Sequence, residues 1–337
     1  MPNILLTQKC IRSCPYCFAR KHMHDAPPED ILKWEDLIYI VDFFQSSGDT
    51  NISLLGGEPF LHPDIVDYIL YIISRGMHVT VFTSGVVGEA ILQDAAEKLD
   101  GVNPAALTFV VNLNNPKETS FSETSSITRF LTIFARYVSL SINVYKLNFD
   151  YSFAIQYINK FGLQKHIRLG LAHPIPGKKN MCIPVDKFRE MAVELINYLP
   201  TLEAFDIHVG FDCGMPMCIF TDEEIGLLYK HSLGQVNFRC GPAIDIGTDM
   251  SVWSCFPLSG YNKVSLFDFQ NAHELNEYFN QLHHNVRVEV GGIYEKCDYC
   301  EYRHKGLCSG GCLSHGLNRI INEPKIRNEK VYAHTLE

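Results

Sequence analysis

Short apolar runs alternate with amphipathic stretches from residue 3 to residue 199, and this alternation limits the fold more than any other feature of the sequence. Residues 3–6 read as a strand. From Trp34, apolar side chains recur at Leu37, Ile38, Val41 and Phe44, the spacing of one helix face, and Gly48 suits the stop. Residues 52–55 read as a strand ending in Gly56-Gly57. Pro63 suits a helix start, Ile65, Ile69, Ile72 and Ile73 line that helix, and Gly76 ends it. Strands are then expected at 79–82, 107–113, 139–144 and 167–171. Helices are expected at 89–99, 125–137, 153–161 and 185–199. Strands that alternate with helices build a parallel sheet covered by helices. Six such units can close partly into a barrel, whose ligand sites lie at the C-terminal ends of the strands. Cys10, Gly56, Gly57, Ser84, Asn112, Asn143 and His173 all fall at those ends.

The rhythm changes near residue 203. Phe205, Ile207, Val209 and Phe211 alternate with Asp206, His208, Gly210 and Asp212, a two-faced strand, and the helical period then fades. The expected division is a core over 1–205, a bridging segment over 206–235 and a cysteine-rich region over 236–337.

Composition excludes several classes. The 337 residues are 46% hydrophobic and 20% charged, which argues against global disorder. The net charge of −9 disfavours nucleic acid as the main partner, because phosphate contact needs a basic face. No apolar run is long enough for a membrane span, and residues 1–6 lack the basic start of a secretory signal. A cytoplasmic location is expected. Twelve cysteines are too sparse for a disulfide scaffold, and thiols clustered at short spacings in a reducing compartment point to metal or catalysis.

Cys10, Cys14 and Cys17 lie in one eight-residue stretch after the first strand. Three thiolates there can hold three irons of a cubane and leave the fourth open to a ligand. A structural zinc would need a fourth closed ligand, for which only His22 and His24 are near. Residues 7–18, Thr-Gln-Lys-Cys-Ile-Arg-Ser-Cys-Pro-Tyr-Cys-Phe, resemble the signature of the radical S-adenosylmethionine (SAM) superfamily, and Gly56-Gly57-Glu58-Pro59 resembles its glycine-rich element. Ile11 stands where relatives often have Asn.

The resemblance, which covers about residues 3–200, implies a partial (β/α)6 TIM-like barrel with a [4Fe-4S] cluster on Cys10, Cys14 and Cys17. SAM would chelate the open iron and be cleaved by one electron to methionine and a 5′-deoxyadenosyl radical. That radical abstracts hydrogen from substrate. Cofactor contacts are expected from Tyr16 and Phe18, from Gly56, Gly57, Glu58 and Pro59, and from Ser84, Asn112 and Asn143. The glycine pair is expected to let the backbone approach the ligand, and Glu58 or nearby carbonyls to accept from the SAM ammonium. His173, His208 and Asp212 are candidates to touch substrate or relay a proton.

The C-terminal cysteines carry a second resemblance. Cys240 and Cys255 flank an expected hairpin, and Cys297, Cys300, Cys308 and Cys312 follow. This is similar to the SPASM domain, a small α+β extension that carries auxiliary [4Fe-4S] clusters in peptide-modifying relatives. The spacing between Cys300 and Cys308 is longer than the family's, Met250 stands at the turn where the family has Gly, and no cysteine follows Cys312. With Cys182 set aside as an ordinary thiol, eight cysteines remain beyond the first loop. Cys213 and Cys218 are therefore expected to complete two four-thiolate sites. One cluster, or a structural zinc on Cys297, Cys300, Cys308 and Cys312, is the alternative.

The resulting expectation is a radical SAM oxidoreductase acting on a peptide or protein side chain, with one SAM-binding cluster, one or two auxiliary clusters and an external flavodoxin- or ferredoxin-like donor. The chain begins almost at the first strand, so a leader-recognition domain is expected to be separate or absent. The alternatives are a small-molecule dehydrogenase or epimerase, a non-catalytic iron–sulfur electron-transfer protein and a zinc-binding interaction module.

Overall fold

The structure is a computed structural model that describes residues 1–322, except 20–25, 28, 177–179, 213, 242, 260 and 261. Its frame is one ten-stranded sheet. In chain order the strands are β1 (Asn3–Leu5), β2 (Asn51–Leu55), β3 (His78–Thr83), β4 (Leu107–Asn112), β5 (Val138–Val144), β6 (His166–Leu171), β7 (His208–Phe211), β8 (Ile244–Ile246), β9 (Ser251–Ser254) and β10 (Val264–Ser265). The spatial order is β10-β9-β8-β1-β2-β3-β4-β5-β6-β7. Strands β1 to β7 pair parallel in sequence order, and β8 joins β1 in parallel on the other side. The hairpin β8–β9 and the short β10 close that edge with antiparallel pairing. The sheet thus unites the N-terminal half with β7 and with the cysteine-rich region.

Helices α1 (Trp34–Ser46), α2 (Ile65–Ser74), α3 (Glu89–Lys98), α4 (Phe121–Phe134), α5 (Ser152–Phe161) and α6 (Phe188–Ala204) connect the parallel strands. Their apolar faces and one face of the strands form a continuous core, in which Ile4, Leu54, Val81, Phe109 and Leu140 are fully buried. Helix α4 starts four residues before its expected position because Ser120 caps it, its side chain accepting from Glu123 N. Helix α6 begins after a 3-10 turn at Val185–Lys187 and runs on through Pro200.

The opposite strand face is polar at its C-terminal end. Register aligns Asn112 with Ser141, Ser141 with Arg168, Arg168 with Gly210, and Asn143 with Gly170. The Arg168 guanidinium lies 5.1 Å from the centre of the Phe82 ring, so β3 and β6 meet across a concave face. This curvature makes the sheet a partial barrel. Beyond β7, α7 (Asp222–His231), α8 (Ala272–Val290), α9 (Glu301–His304) and α10 (Leu313–Asn322) follow. No helix among the described residues is long and apolar enough to cross a membrane.

Candidate active site

The cysteine loop leaves β1 at the C-terminal end of the sheet and is fixed there by backbone pairing. Gly57 N donates to Thr7 O (2.9 Å) and Glu58 N to Lys9 O (2.7 Å). A Cβ on Gly56 would sit 2.1 Å from Thr7 O, and one on Gly57 would sit 2.0 Å from Lys9 O. The glycines therefore permit close approach of the turn to the cysteine loop itself.

Glu58 is buried beneath the turn. It is 1% exposed, and its carboxylate accepts from Thr83 Oγ1 (2.7 Å), Ser84 N (2.8 Å), Phe60 N (3.2 Å) and Ser84 Oγ. Burial pushes its carboxyl up, and these donors offset part of that shift. The side chain is a brace between the glycine turn and the end of β3. Ser84 is committed to the same brace. Pro59 is buried and opens the turn Pro59–Leu61.

A hydrogen-bonded chain links the strand ends to the loop. Asn143 Nδ2 donates to Asn112 Oδ1 (2.8 Å), and Asn112 Nδ2 donates to Tyr16 Oη (3.1 Å). Tyr16 Oη donates to Asn114 Oδ1 (2.6 Å), and Asn114 Nδ2 approaches Cys14 Sγ at 3.6 Å. Tyr16 is buried, stacks on Tyr145 and has its hydroxyl pushed up chiefly by burial, so it stays a neutral donor. Arg12 N donates to Cys10 Sγ at 3.4 Å, while the Arg12 guanidinium donates to Asn112 O (2.9 Å) and pairs with Glu123 (2.5 Å). Burial, named first among the causes, pushes the Cys10 thiol up. Phe18 turns outward against Phe256 of the C-terminal region (5.1 Å).

The sequence reading missed three contributors. Asp30 accepts from Gln8 N (2.5 Å), Gln8 Nε2 (3.1 Å) and Thr248 Oγ1 (2.5 Å), tying the loop to the β8–β9 turn. Asn114 and Arg12 were the others. Only Arg12, between two motif cysteines, carried a sequence signal.

The three proposed catalytic side chains separate. Asp212 follows the C-terminal end of β7 and pairs with Arg168 (2.6 Å) on the concave face, beside Asn143 across Gly170. His208 opens β7 at the N-terminal end of the sheet, aligned with His166, which places it on the rim away from the cysteine loop. The alternation starts at Phe205, whereas the strand begins three residues later, at His208. His173 lies after β6, but its ring turns to His315 (3.2 Å) and Cys312 in the C-terminal region.

The C-terminal cysteines gather at two places. Cys255, which is half-buried, lies near Cys312 and Cys240. Cys312 is the one whose thiol is held down. Burial raises it, but His173 and a hydroxyl contact from Ser314 (3.0 Å) prevail. Cys297, Cys300 and Cys308 form the other place, where Gly310 N donates to Cys308 Sγ at 3.3 Å. Cys213 lies outside the described residues, as do His22 and His24. Cys182 packs with Cys14 and Tyr16, and burial raises its thiol. Met250 takes the left-handed backbone (φ +61°) at the β8–β9 turn, the conformation a glycine would adopt freely.

Among the described residues, no three His, Cys, Asp or Glu side chains converge tightly enough to hold a single metal ion. Iron–sulfur clusters bind each thiolate to a different iron, so their ligands stand further apart than those of one zinc. Soft thiol donors that receive N–H groups, beside glycines that clear the space, fit such a cluster in both regions.

Comparison with known proteins gives the same outline. Residues 4–138 match the family model described as Radical SAM superfamily. Molybdenum cofactor biosynthesis protein 1 of Bos taurus is 29% identical over 119 residues, which cover 32% of this chain and 19% of that protein. The PqqA peptide cyclase of Granulibacter bethesdensis is 30% identical over 31% of this chain and 27% of its own length. An S-adenosylmethionine-dependent nucleotide dehydratase of Selenomonas ruminantium is 29% identical over 43% of this chain and 54% of its own. The chain thus spans about a fifth of the first curated relatives it matches and about half of the last. Among solved structures, anSMEcpe with bound AdoMet superposes with a TM-score of 0.63 at 17% identity, covering 93% of this chain and 89% of the other. Streptococcus suis SuiB bound to precursor peptide SuiA gives 0.65 at 15% identity, covering 96% and 73%. At such identity these two likenesses speak for the fold, barrel and C-terminal region together.

Proposed function

The chain belongs to the radical SAM superfamily, whose model spans residues 4–138, and from that premise we propose that it abstracts hydrogen from a peptide or protein side chain. The family implies a [4Fe-4S] cluster and SAM, which when bound would supply one-electron reductive cleavage and radical hydrogen abstraction. Cys10, Cys14 and Cys17 would hold that cluster. The protein's own part is positioning. The observation that carries the reading is the glycine turn locked onto the cysteine loop, with the Asn143–Asn112–Tyr16–Asn114 chain running to Cys14.

Arg168 and Asp212 lie on the concave face just below this chain, about one-third exposed, and are placed to orient polar groups of a substrate. The peptide part of the reading draws support from SuiB, solved with a precursor peptide, and from anSMEcpe, solved with AdoMet and the Kp18Cys peptide. Auxiliary clusters on the C-terminal cysteines would anchor substrate or accept an electron, and an external flavodoxin- or ferredoxin-like donor would reduce the first cluster.

A second reading, a small-molecule substrate, is favoured by the nucleotide dehydratase match. The test of the shared core is 5′-deoxyadenosine formation by the anaerobically reconstituted, reduced protein given SAM. Wild type is expected to form it and Cys14→Ala to form none; absence from both at full iron loading would refute catalysis. A screen of peptides against nucleotides then separates the two substrate classes.

A further inference from the structure

Cys297, Cys300 and Cys308 make three thiols of a set whose fourth member is not adjacent in sequence. A partner comes from the other edge of the sheet. The turn Met217–Ile219 follows β7, and Arg189 Nη1 donates to Ile219 O (2.7 Å), fastening it to α6. Met217 N donates to Cys308 Sγ at 3.5 Å, so this turn sits directly on one sulfur of the set. The next residue is Cys218, whose thiol lies within electrostatic reach of Cys297, Cys308 and Cys300, with Lys296 alongside.

Two glycines clear room at two of these sulfurs, Cys297 and Cys308. A Cβ on Gly292 would lie 2.5 Å from Cys297 Sγ, and Gly310 approaches Cys297 Sγ and donates to Cys308 Sγ. Cys297 and Cys308 are buried, Cys300 is half-buried and Cys218 is exposed, so the set opens to solvent at Cys218. Cys255, Cys312 and Cys240 face one another at the other place. The four sulfurs are soft, anionic when metallated, and drawn from three chain segments, the donor set of a closed iron–sulfur site.

We infer that Cys218, Cys297, Cys300 and Cys308 ligate one auxiliary iron–sulfur cluster, with Cys218 supplying the fourth thiolate from the β7 edge of the sheet. This rests on the reading that the C-terminal cysteines hold clusters. The cluster then clamps the β7 edge of the barrel to the C-terminal helices, so loss of Cys218 uncouples them.

The test uses the full chain carrying Cys10→Ala, Cys14→Ala and Cys17→Ala, reconstituted anaerobically. Iron, sulfide and zinc are counted, and the reduced protein is examined by low-temperature electron paramagnetic resonance. Cys218→Ala and Cys300→Ala are expected to change the same signal and lower iron and sulfide together, and the double variant to lose no more than either. Cys255→Ala is expected to change the other signal, and its loss to add to that of Cys218→Ala.

Additive losses from Cys218→Ala and Cys300→Ala would overturn the assignment, as would an unchanged spectrum in Cys218→Ala. Cys218→Ser, compared with Cys218→Ala by thermal unfolding of the metal-free protein, separates ligand loss from misfolding. Absence of iron and sulfide from the starting variant, or zinc in their place, would instead refute the auxiliary-cluster reading itself.

Discussion

The two cysteine regions of this molecule solve different problems. Cys10, Cys14 and Cys17 come from one short loop, and their supports come from neighbouring strand ends and the Gly56-Gly57 turn. The C-terminal thiols come from segments as far apart as Cys218 and Cys308, brought together by the whole sheet. A three-thiol loop leaves a coordination position open for a ligand, whereas a closed four-thiol set offers none. On the proposed reading, the local site would carry the substrate chemistry and the distributed one electron handling or anchoring.

The strongest way to break this comparison is at the glycine turn. Gly57→Ala forces a Cβ into Lys9 O, which backbone must relieve. The expected cost is about 3 kcal/mol or more in local stability, with loss of the SAM-dependent cluster and retention of C-terminal iron. Iron counting and 5′-deoxyadenosine formation check both halves.

Acid distinguishes the regions next. His283, in α8 of the C-terminal region, is 7% exposed, and burial followed by the Arg287 charge pulls its pKa down to about 4. The unfolded chain takes up this proton near pH 6.5 and the folded chain only near pH 4. Stability is therefore full above about pH 6.5 and falls by up to about 3 kcal/mol as pH drops to 4. Urea unfolding at pH 7 and pH 4.5 should show this loss, and His283→Gln should flatten it.

Met250 tests the hairpin that carries Cys255. Glycine would relieve a left-handed backbone worth about 1–2 kcal/mol, but Met250 is 4% exposed, and truncating a buried Met costs about 2–5 kcal/mol. Met250→Gly is expected to destabilise by about 1–3 kcal/mol, read from the denaturation midpoint. The smallest effect is expected from Tyr16→Phe, which breaks the chain from Asn112 to Asn114 at a cost of about 1 kcal/mol. Its signature is a changed spectrum of the first cluster and unchanged C-terminal signals.

What the sequence disclosed follows the same division. The strand–helix rhythm was legible because each unit buries its own periodic face, and the first cysteine loop was legible because its ligands are contiguous. The inward turn of Glu58 was not, because three of its four donors come from Thr83 and Ser84, at and just past the end of β3, and Asp30 was not, because its partners Gln8 and Thr248 are remote in sequence. Helix α7 was missed although Thr221 and Glu224 form a capping box, a signal present in the sequence. The distributed cysteines could be counted but not grouped, since grouping depends on strand order. His208 opens β7, and alternation fixes the face a residue takes but not the rim.

The most direct measurement is electron paramagnetic resonance of the reduced, fully reconstituted protein with and without SAM. SAM should shift the signal that disappears in the Cys10→Ala/Cys14→Ala/Cys17→Ala variant and leave unchanged those that depend on Cys255 and Cys300. A SAM-induced shift that persists in that variant, or no shift in wild type, would contradict the assignment of an open site to the N-terminal loop and closed sites to the C-terminal region.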